Sequence, residues 1–148
     1  MELTIKYNLD MSGLDTVYSA CNELAKKVHA GVLNNPNAAM KAARNELGMP
    51  TDEGYFVPAR STIRNSIENV DVFSPAVEKL QEFTPETARA AIKEVGDSAV
   101  KAIEDSFSNK GYGTWADNAP WTIRVKGRNE PMVDTGELRD SISYEVVG

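Results

Sequence analysis

The sequence has very few of the residues that build disulfides and metal sites. Its 148 residues include one cysteine, Cys21, and one histidine, His29. A single thiol excludes an internal disulfide framework and a thiolate-rich zinc site, and a single imidazole offers at most one nitrogen ligand. Because Cys21 lies within the apolar pattern of a predicted helix, we interpret it as a small buried hydrophobic residue. We therefore expect neither a metal nor another cofactor.

The sequence also lacks a long apolar run and an excess of basic residues. No stretch approaches the roughly 18 residues of a membrane span, and the first residues lack the basic start and apolar run of a signal peptide. The formal net charge of −6 argues against a protein whose main partner is the phosphate backbone of nucleic acid. We expect one intracellular domain over residues 1–148, with no membrane contact and no specific nucleic-acid binding.

What the sequence does contain is a series of short periodic segments. Alternating apolar residues predict strands over Glu2–Leu9 and Ile142–Val147, and a β-branched, apolar run predicts another over Val28–Leu33. Apolar spacings of three and four residues predict helices, the longest over Pro85–Phe107. Shorter helices are predicted to start near Leu14, Pro36, Arg60 and Pro75. This order predicts an α+β fold, in which a small, mostly antiparallel sheet packs against one long helix together with several short helices.

Asn35 and Thr84, each followed by proline, are the predicted caps of the helices that start at Pro36 and Pro85. The helix from Arg60 is predicted to end near Val70 and to turn Ile63, Ile67 and Val70 inward.

The segment 108–120 is rich in glycine and asparagine and predicts an exposed loop. Its two aromatic residues, Tyr112 and Trp115, have two interpretations. They could contact neighbouring subunits when the loop orders upon assembly, or they could fold back as a lid on the core. The sequence leaves both open.

The segment Trp121–Lys126 could be a short strand or a helical turn. It overlaps the basic cluster Arg124, Lys126 and Arg128. This cluster could touch nucleic acid, but charges that guard an edge strand against aggregation explain it equally well.

No constellation of catalytic residues emerges. Most carboxylates fall on solvated helix faces, and neighbours such as Glu104 and Asp105 point to different sides of their helix. The Gly111-Tyr112-Gly113 element follows a helix, whereas phosphate-binding loops follow a strand and open a helix. We expect a protein that is not an enzyme.

Two stretches are more specific than composition. The first consists of Asn45-Glu46-Leu47-Gly48 and, after a loop, Val57-Pro58-Ala59-Arg60-Ser61-Thr62-Ile63-Arg64. The second consists of Lys126-Gly127 and then the run from Pro131 to Val146, which contains Val133-Asp134-Thr135-Gly136-Glu137-Leu138.

Together and in this order, the two stretches resemble the tail-completion, minor-tail and neck proteins of tailed bacteriophages and prophages. Members of that group show an "EFG" element, an "iPaRPFlR" element that opens a helix, a long helix, and a closing "K-G … PLvDTG-L-r-sIsyeV" pattern. The similarity spans Val28 to Val147. Leu47 stands where the group has Phe, and Ser61-Thr62 stands where it has Pro-Phe. An aromatic anchor expected near that helix start is therefore missing.

The resemblance implies a structural virion protein, located in the neck or tail end of the particle and in the host cytoplasm during assembly. Copies of the chain would form a ring that completes the tail or joins it to the head. Its partners would be itself and neighbouring connector and tail proteins, and DNA would pass nearby at most. One alternative is a tail terminator ring subunit. An alternative from another class is a small DNA-associated regulator encoded on a prophage.

The second stretch also has a physical interpretation of its own. Asp134 or Thr135 can cap a short helical turn, Gly136 permits close backbone approach, and Leu138 can anchor the turn before the last strand. We interpret these residues as structural rather than as a binding site.

In the first stretch, Glu46 belongs to the motif and Gly48 is suited to end the preceding helix in a left-handed conformation. Arg60 and Arg64 are one helical turn apart, so both could project towards the carboxylates of a neighbouring subunit. Alternatively, Arg64 pairs with Glu68 and Arg60 stays solvated.

Overall fold

The structure, a computed structural model, describes residues 11–131 and 136–148. In chain order its elements are α1 (Leu14–Leu24), β1 (Lys27–Val32), α2 (Pro36–Leu47), β2 (Met49–Pro50), β3 (Phe56–Val57), α3 (Ile63–Asn69), α4 (Ser74–Val77), a 3₁₀ turn (Glu78–Leu80), α5 (Pro85–Ser108), α6 (Pro120–Lys126), α7 (Glu137–Asp140) and β4 (Ile142–Val147). The strand predicted over Glu2–Leu9 lies outside the described residues.

Two of the helices start at the cap residues that the sequence indicates. The Asn35 side chain accepts a hydrogen bond from the Ala38 N–H at 3.0 Å. Thr84 and Thr87 form a reciprocal capping box, in which each side chain accepts from the other's backbone N–H. These caps satisfy amides that have no partner within the helix, so α2 and α5 begin where predicted.

The sheet consists of β1 and β4, which pair antiparallel from Lys27 opposite Val147 to Val32 opposite Ile142. The long helix α5 packs against both strands. Gly96 makes this approach possible, since a Cβ atom there would lie 2.3 Å from the Tyr144 ring. The predicted α+β fold, with a small antiparallel sheet on a long helix, is confirmed.

The central core joins parts of the chain that are distant in sequence. Its buried members are Ala38, Ile103, Phe107, Trp115 and Leu138. The rings of Phe107 and Trp115 meet edge to face, with centroids 5.9 Å apart, an arrangement that aromatic pairs favour. The segment after α5 therefore folds back onto the end of that helix.

The apolar stripe predicted on α1 is largely exposed. Cys21 is exposed, so its interpretation as a buried hydrophobic residue is wrong. The residue of α1 that is buried is Ala20, and because consecutive helix positions differ by about 100°, its neighbour Cys21 faces another direction.

Only part of the apolar face predicted for α3 turns inward. Ile63 packs against the core and Val70 is partly buried. Ile67 is 69% exposed, although the pattern places it inside. Asn65 and Ser66 are buried instead. The Ser66 hydroxyl donates to the carbonyls of Thr62 and of Ala102 on α5. These hydrogen bonds let polar residues occupy the interface between the two helices.

The segment Trp121–Lys126 is helical, since it lies within α6. Arg124 and Lys126 therefore sit in the last turn of a helix and do not guard an edge strand. Cations in this position interact favourably with the helix dipole. Within residues 11–131 and 136–148, no helix is long and apolar enough to cross a bilayer.

Candidate functional site

The Glu46 carboxylate joins the end of α2 to the start of α3. Its Oε1 accepts hydrogen bonds from the backbone N–H groups of Thr62 at 2.6 Å and Ile63 at 2.8 Å, and from the Thr62 hydroxyl at 2.8 Å. Its Oε2 accepts from the Ser61 hydroxyl. The first amides of a helix have no partner within it, and a negative charge there is favourable. Glu46 therefore caps α3 from a separate helix.

The surroundings of Glu46 act on its pKa in opposite directions. Burial raises the pKa of this carboxyl, but hydrogen bonds from Ser61 and from the start of α3 outweigh burial and hold it below the ordinary value of 4.5. The group thus stays ionised at neutral pH, in the form that accepts all four hydrogen bonds.

Gly48 lets the chain turn directly after α2. Its φ is +70°, and a Cβ atom there would lie 2.7 Å from the Val57 carbonyl oxygen and 2.9 Å from the Phe56 ring. The residue therefore permits both the positive φ and the close approach of the β2–β3 hairpin.

The aromatic residues of the 108–120 segment fold back onto the protein. Trp115 is 6% exposed, and its Nε1–H donates to the Ser61 carbonyl at 2.9 Å. The Tyr112 hydroxyl donates to the Ala102 carbonyl at 2.7 Å. The lid interpretation is therefore the correct one for Trp115, and its interpretation as an exposed contact residue is wrong. Gly111 makes room, because a Cβ atom there would lie 2.1 Å from the indole nitrogen.

The two arginines of the first motif do not share a helix face. Arg60 precedes α3, and its Nη2 donates to the carbonyls of Ala116 and Asp117, both at 3.1 Å. Arg64 is exposed on α3, and no ion pair among the described residues joins it to Glu68. The interpretation that both arginines project from one helix face is therefore wrong, and so is the alternative, in which Arg64 pairs with Glu68 and Arg60 stays solvated.

The described part of the second motif forms a short helical turn beside α2. Gly136 has a φ of +85° and precedes α7, and Leu138 is buried in the core. Glu137 accepts from the Lys41 ammonium at 2.5 Å and from the Asn35 amide at 3.3 Å. Asp134 and Thr135, the predicted caps, lie outside the described residues.

A cleft of about 540 Å³ lies where the two motifs meet. Its basic lining side chains are Lys41, Arg44, Arg60 and Lys126, and Glu137 is the carboxylate among its described lining residues. Its apolar lining comes from Met49, Phe56, Val57, Pro58 and Leu138. The cleft is therefore a locally cationic, apolar-walled site in a chain of net charge −6.

Two buried side-chain nitrogens of this cleft have no hydrogen-bond partner in the part of the chain that the structure describes. They are Nε of Arg60 and Nδ2 of Asn118. Asn118 is 8% exposed, and both residues line the cleft. A buried donor without a partner is costly, so both atoms favour an acceptor from outside the described residues.

Four polar residues with contacts in this region belong to no catalytic or charged motif of the sequence. Ser61 and Thr62 bind Glu46, Asn118 lines the cleft, and the Asn65 amide donates to the Gly111 carbonyl at 3.3 Å and to the Thr114 hydroxyl at 2.5 Å. The available signal was the Ser-Thr pair directly before a predicted helix, since both residues favour helix starts. Asn65 and Asn118 carry no comparable local signal.

Comparisons of the chain with protein-family models, with curated proteins and with solved structures found no match. No group of three or more His, Cys, Asp or Glu residues able to hold a metal ion occurs within residues 11–131 and 136–148. The geometry itself defines a cationic cleft between two motif-bearing segments.

Proposed function

We propose that the chain is a structural subunit of a tailed bacteriophage or prophage particle. Copies of it form part of the neck or tail-completion ring, which finishes the tail or joins it to the head. The supporting observation is the pair of sequence motifs, around residues 45–64 and 126–146, that resemble those of tail-completion and neck proteins. In the fold, Arg60 from the first motif and Leu138 from the second line one cleft.

The arrangement of the motif residues is compatible with an assembly role. Glu46 holds the start of α3 in place, and Trp115 ties the loop after α5 to Ser61, in the part of the first motif segment that precedes α3. The β2–β3 hairpin presents Tyr55 and Phe56 to solvent. Exposed aromatic side chains are typical of surfaces that bind other proteins. A subunit that closes a ring by head-to-tail contacts needs two different surfaces of this kind.

The proposal is tested by deleting the coding sequence from an inducible prophage that carries it and imaging the particles. We expect filled heads without tails, together with free or overlong tails. Complementation with the wild-type chain restores infectious particles, and a labelled chain then localises to the neck or tail end. Normal infectious particles from the deletion strain would contradict the proposal.

A DNA-binding measurement separates the regulator alternative. A regulator binds duplex DNA with an affinity that falls steeply with salt, because Lys and Arg displace counterions from phosphates. We expect no such binding at physiological salt, where even non-specific DNA-binding proteins have dissociation constants of about 10⁻⁴–10⁻⁶ M.

A further inference from the structure

We infer that the cationic cleft receives the acidic tip of the β2–β3 hairpin of a second copy of this chain. The inference rests on the proposed function, since it names a subunit contact within the proposed ring. It starts from two features of one molecule that complement each other, the cleft around Arg44 and Arg60 and the hairpin tip with Asp52 and Glu53.

The cleft is suited to carboxylates attached to a protein segment. Arg44 is exposed at its rim and takes part in no ion pair among the described residues. Deeper in the cleft, Arg60 Nε and Asn118 Nδ2 are buried donors that find no partner among the described residues. Guanidinium groups bind carboxylates in a directed, charge-assisted geometry. An incoming acidic side chain or backbone carbonyl would satisfy these donors.

The apolar walls favour a peptide over the backbone of nucleic acid. Phe56, Val57 and Leu138 supply much of the lining, whereas surfaces that bind nucleic acid backbone are polar and strongly basic. The volume of about 540 Å³ is in the range of sites that enclose a small group or a few side chains. A rod-like duplex does not enter a cleft of this size.

The hairpin tip has the matching chemistry. Asp52 and Glu53 lie in the turn between β2 and β3, where both are exposed and take part in no ion pair among the described residues. The turn is ordered by hydrogen bonds between Thr51 and Tyr55, and Tyr55 beside the tip is 70% exposed. Two carboxylates next to an exposed aromatic ring complement a cationic cleft with apolar walls.

The tip cannot serve the cleft of its own molecule in this structure. Phe56 and Val57, at the base of the hairpin, form part of the cleft wall, whereas the tip residues Asp52 and Glu53 are absent from its lining. The occupant is therefore a tip from another copy. Such a contact is head-to-tail, because the tip and the cleft are different surfaces of each subunit, and repetition gives a ring or a filament.

The test compares self-association of the wild-type chain and two charge-reversal variants by analytical ultracentrifugation. Arg44→Glu alters the cleft and Glu53→Lys alters the tip, and both positions are exposed, so folding is checked by circular dichroism and expected to be unchanged. We expect each variant to associate at least tenfold more weakly than the wild type, because like charges then face each other across the contact. The matched controls are Lys101→Glu, an exposed cation on α5 outside the cleft, and Glu104→Lys, an exposed carboxylate outside the tip. We expect both to associate like the wild type.

A mixture of the two variants gives the decisive result. A dimer of one molecule of each variant contains one unaltered tip, from Arg44→Glu, and one unaltered cleft, from Glu53→Lys. We expect equimolar mixing to restore dimers or larger species that neither variant forms alone. A mixture that remains monomeric while the wild type associates would overturn the inference.

The remaining outcomes are equally informative. A wild-type chain that stays monomeric at a protein concentration of about 1 mM, where even a contact with a dissociation constant of about 1 mM would be detectable, refutes the contact. Loss of salt-dependent DNA binding in Arg44→Glu, with self-association unchanged, assigns the cleft to phosphate and also refutes it. If the contact fails but the chain is located in the neck or tail of particles, the proposed function stands and this inference alone is wrong.

Discussion

Replacement of Glu46 tests whether a carboxylate from α2 holds the start of α3 in place. Glu46→Ala removes the acceptor of four hydrogen bonds, from Ser61, Ile63 and twice from Thr62. Loss of a helix cap costs about 0.5–2 kcal/mol, and a hydrogen bond to a charged group contributes about 1.5–3 kcal/mol. Because Glu46 is half-buried, water can replace some of the lost hydrogen bonds. We therefore expect the free energy of unfolding to fall by about 2–3 kcal/mol.

The isosteric variant Glu46→Gln separates charge from shape. It retains one acceptor oxygen but loses the negative charge, so we expect a loss of about 1–2 kcal/mol at pH 7. The pKa of Glu46 is lower in the folded chain than its ordinary value of 4.5, so the unfolded chain binds the proton more readily. The stabilisation by the carboxylate is therefore complete above pH 4.5 and is lost as the pH falls through the folded-state pKa.

Urea unfolding followed by circular dichroism, at pH 7 and at several pH values below 4.5, measures this difference. We expect the stability gap between the wild type and Glu46→Gln to narrow steadily over the acidic range. Glu104→Gln, at an exposed position on α5, is the matched control and should leave stability within about 0.5 kcal/mol of the wild type. A gap that is absent at pH 7, or equally large at both ends of the range, would refute the capping role.

Three further substitutions test packing and backbone conformation. Gly96→Ala should lower the free energy of unfolding, measured in urea titrations, by about 1–2 kcal/mol, because the new Cβ collides with the Tyr144 ring and this overpacking exceeds the gain in helix propensity. Unchanged stability would contradict the close approach of α5 to β4. Trp115→Phe should lower the free energy of unfolding by about 1–3 kcal/mol, since the Ser61 carbonyl loses its indole donor and a smaller ring leaves a gap. An unaltered thermal unfolding midpoint would argue against Trp115 as part of a lid on the core. Gly136→Val should impair folding or incorporation into particles, because a β-branched residue disfavours a φ of +85°. A soluble variant that still assembles would show that this turn tolerates a side chain.

The sequence predicts the framework of this fold well where local chemistry decides. The Asn35 and Thr84 caps before prolines locate the starts of α2 and α5, and the regular apolar spacing within Pro85–Phe107 identifies the long helix to within a residue of its end. These signals are strong because capping, proline geometry and helical periodicity depend on residues close together in the chain.

Prediction fails where polar residues find distant partners. Apolar periodicity places Ile67 inside, but Ile67 is exposed, and Asn65 and Ser66 are buried because carbonyls at Gly111 and Ala102 accept their hydrogen bonds. Likewise, the sequence could not show that Arg60 reaches a loop more than fifty residues further along the chain. The cleft depends on such long-range contacts, so the two buried donors that have no partner in the described part of the chain become visible only in the fold.

The way the loop after α5 is attached has a consequence for sequence divergence. Arg60 and Trp115 are side-chain donors, but their acceptors are the main-chain carbonyls of Ala116, Asp117 and Ser61. Every amino acid carries such a carbonyl, so the acceptor positions 116 and 117 can change identity without losing these bonds, whereas the donor positions cannot. Substitutions should therefore accumulate unequally among the residues that attach this loop, and two chains could share its geometry while differing at two of the five residues that form the contact.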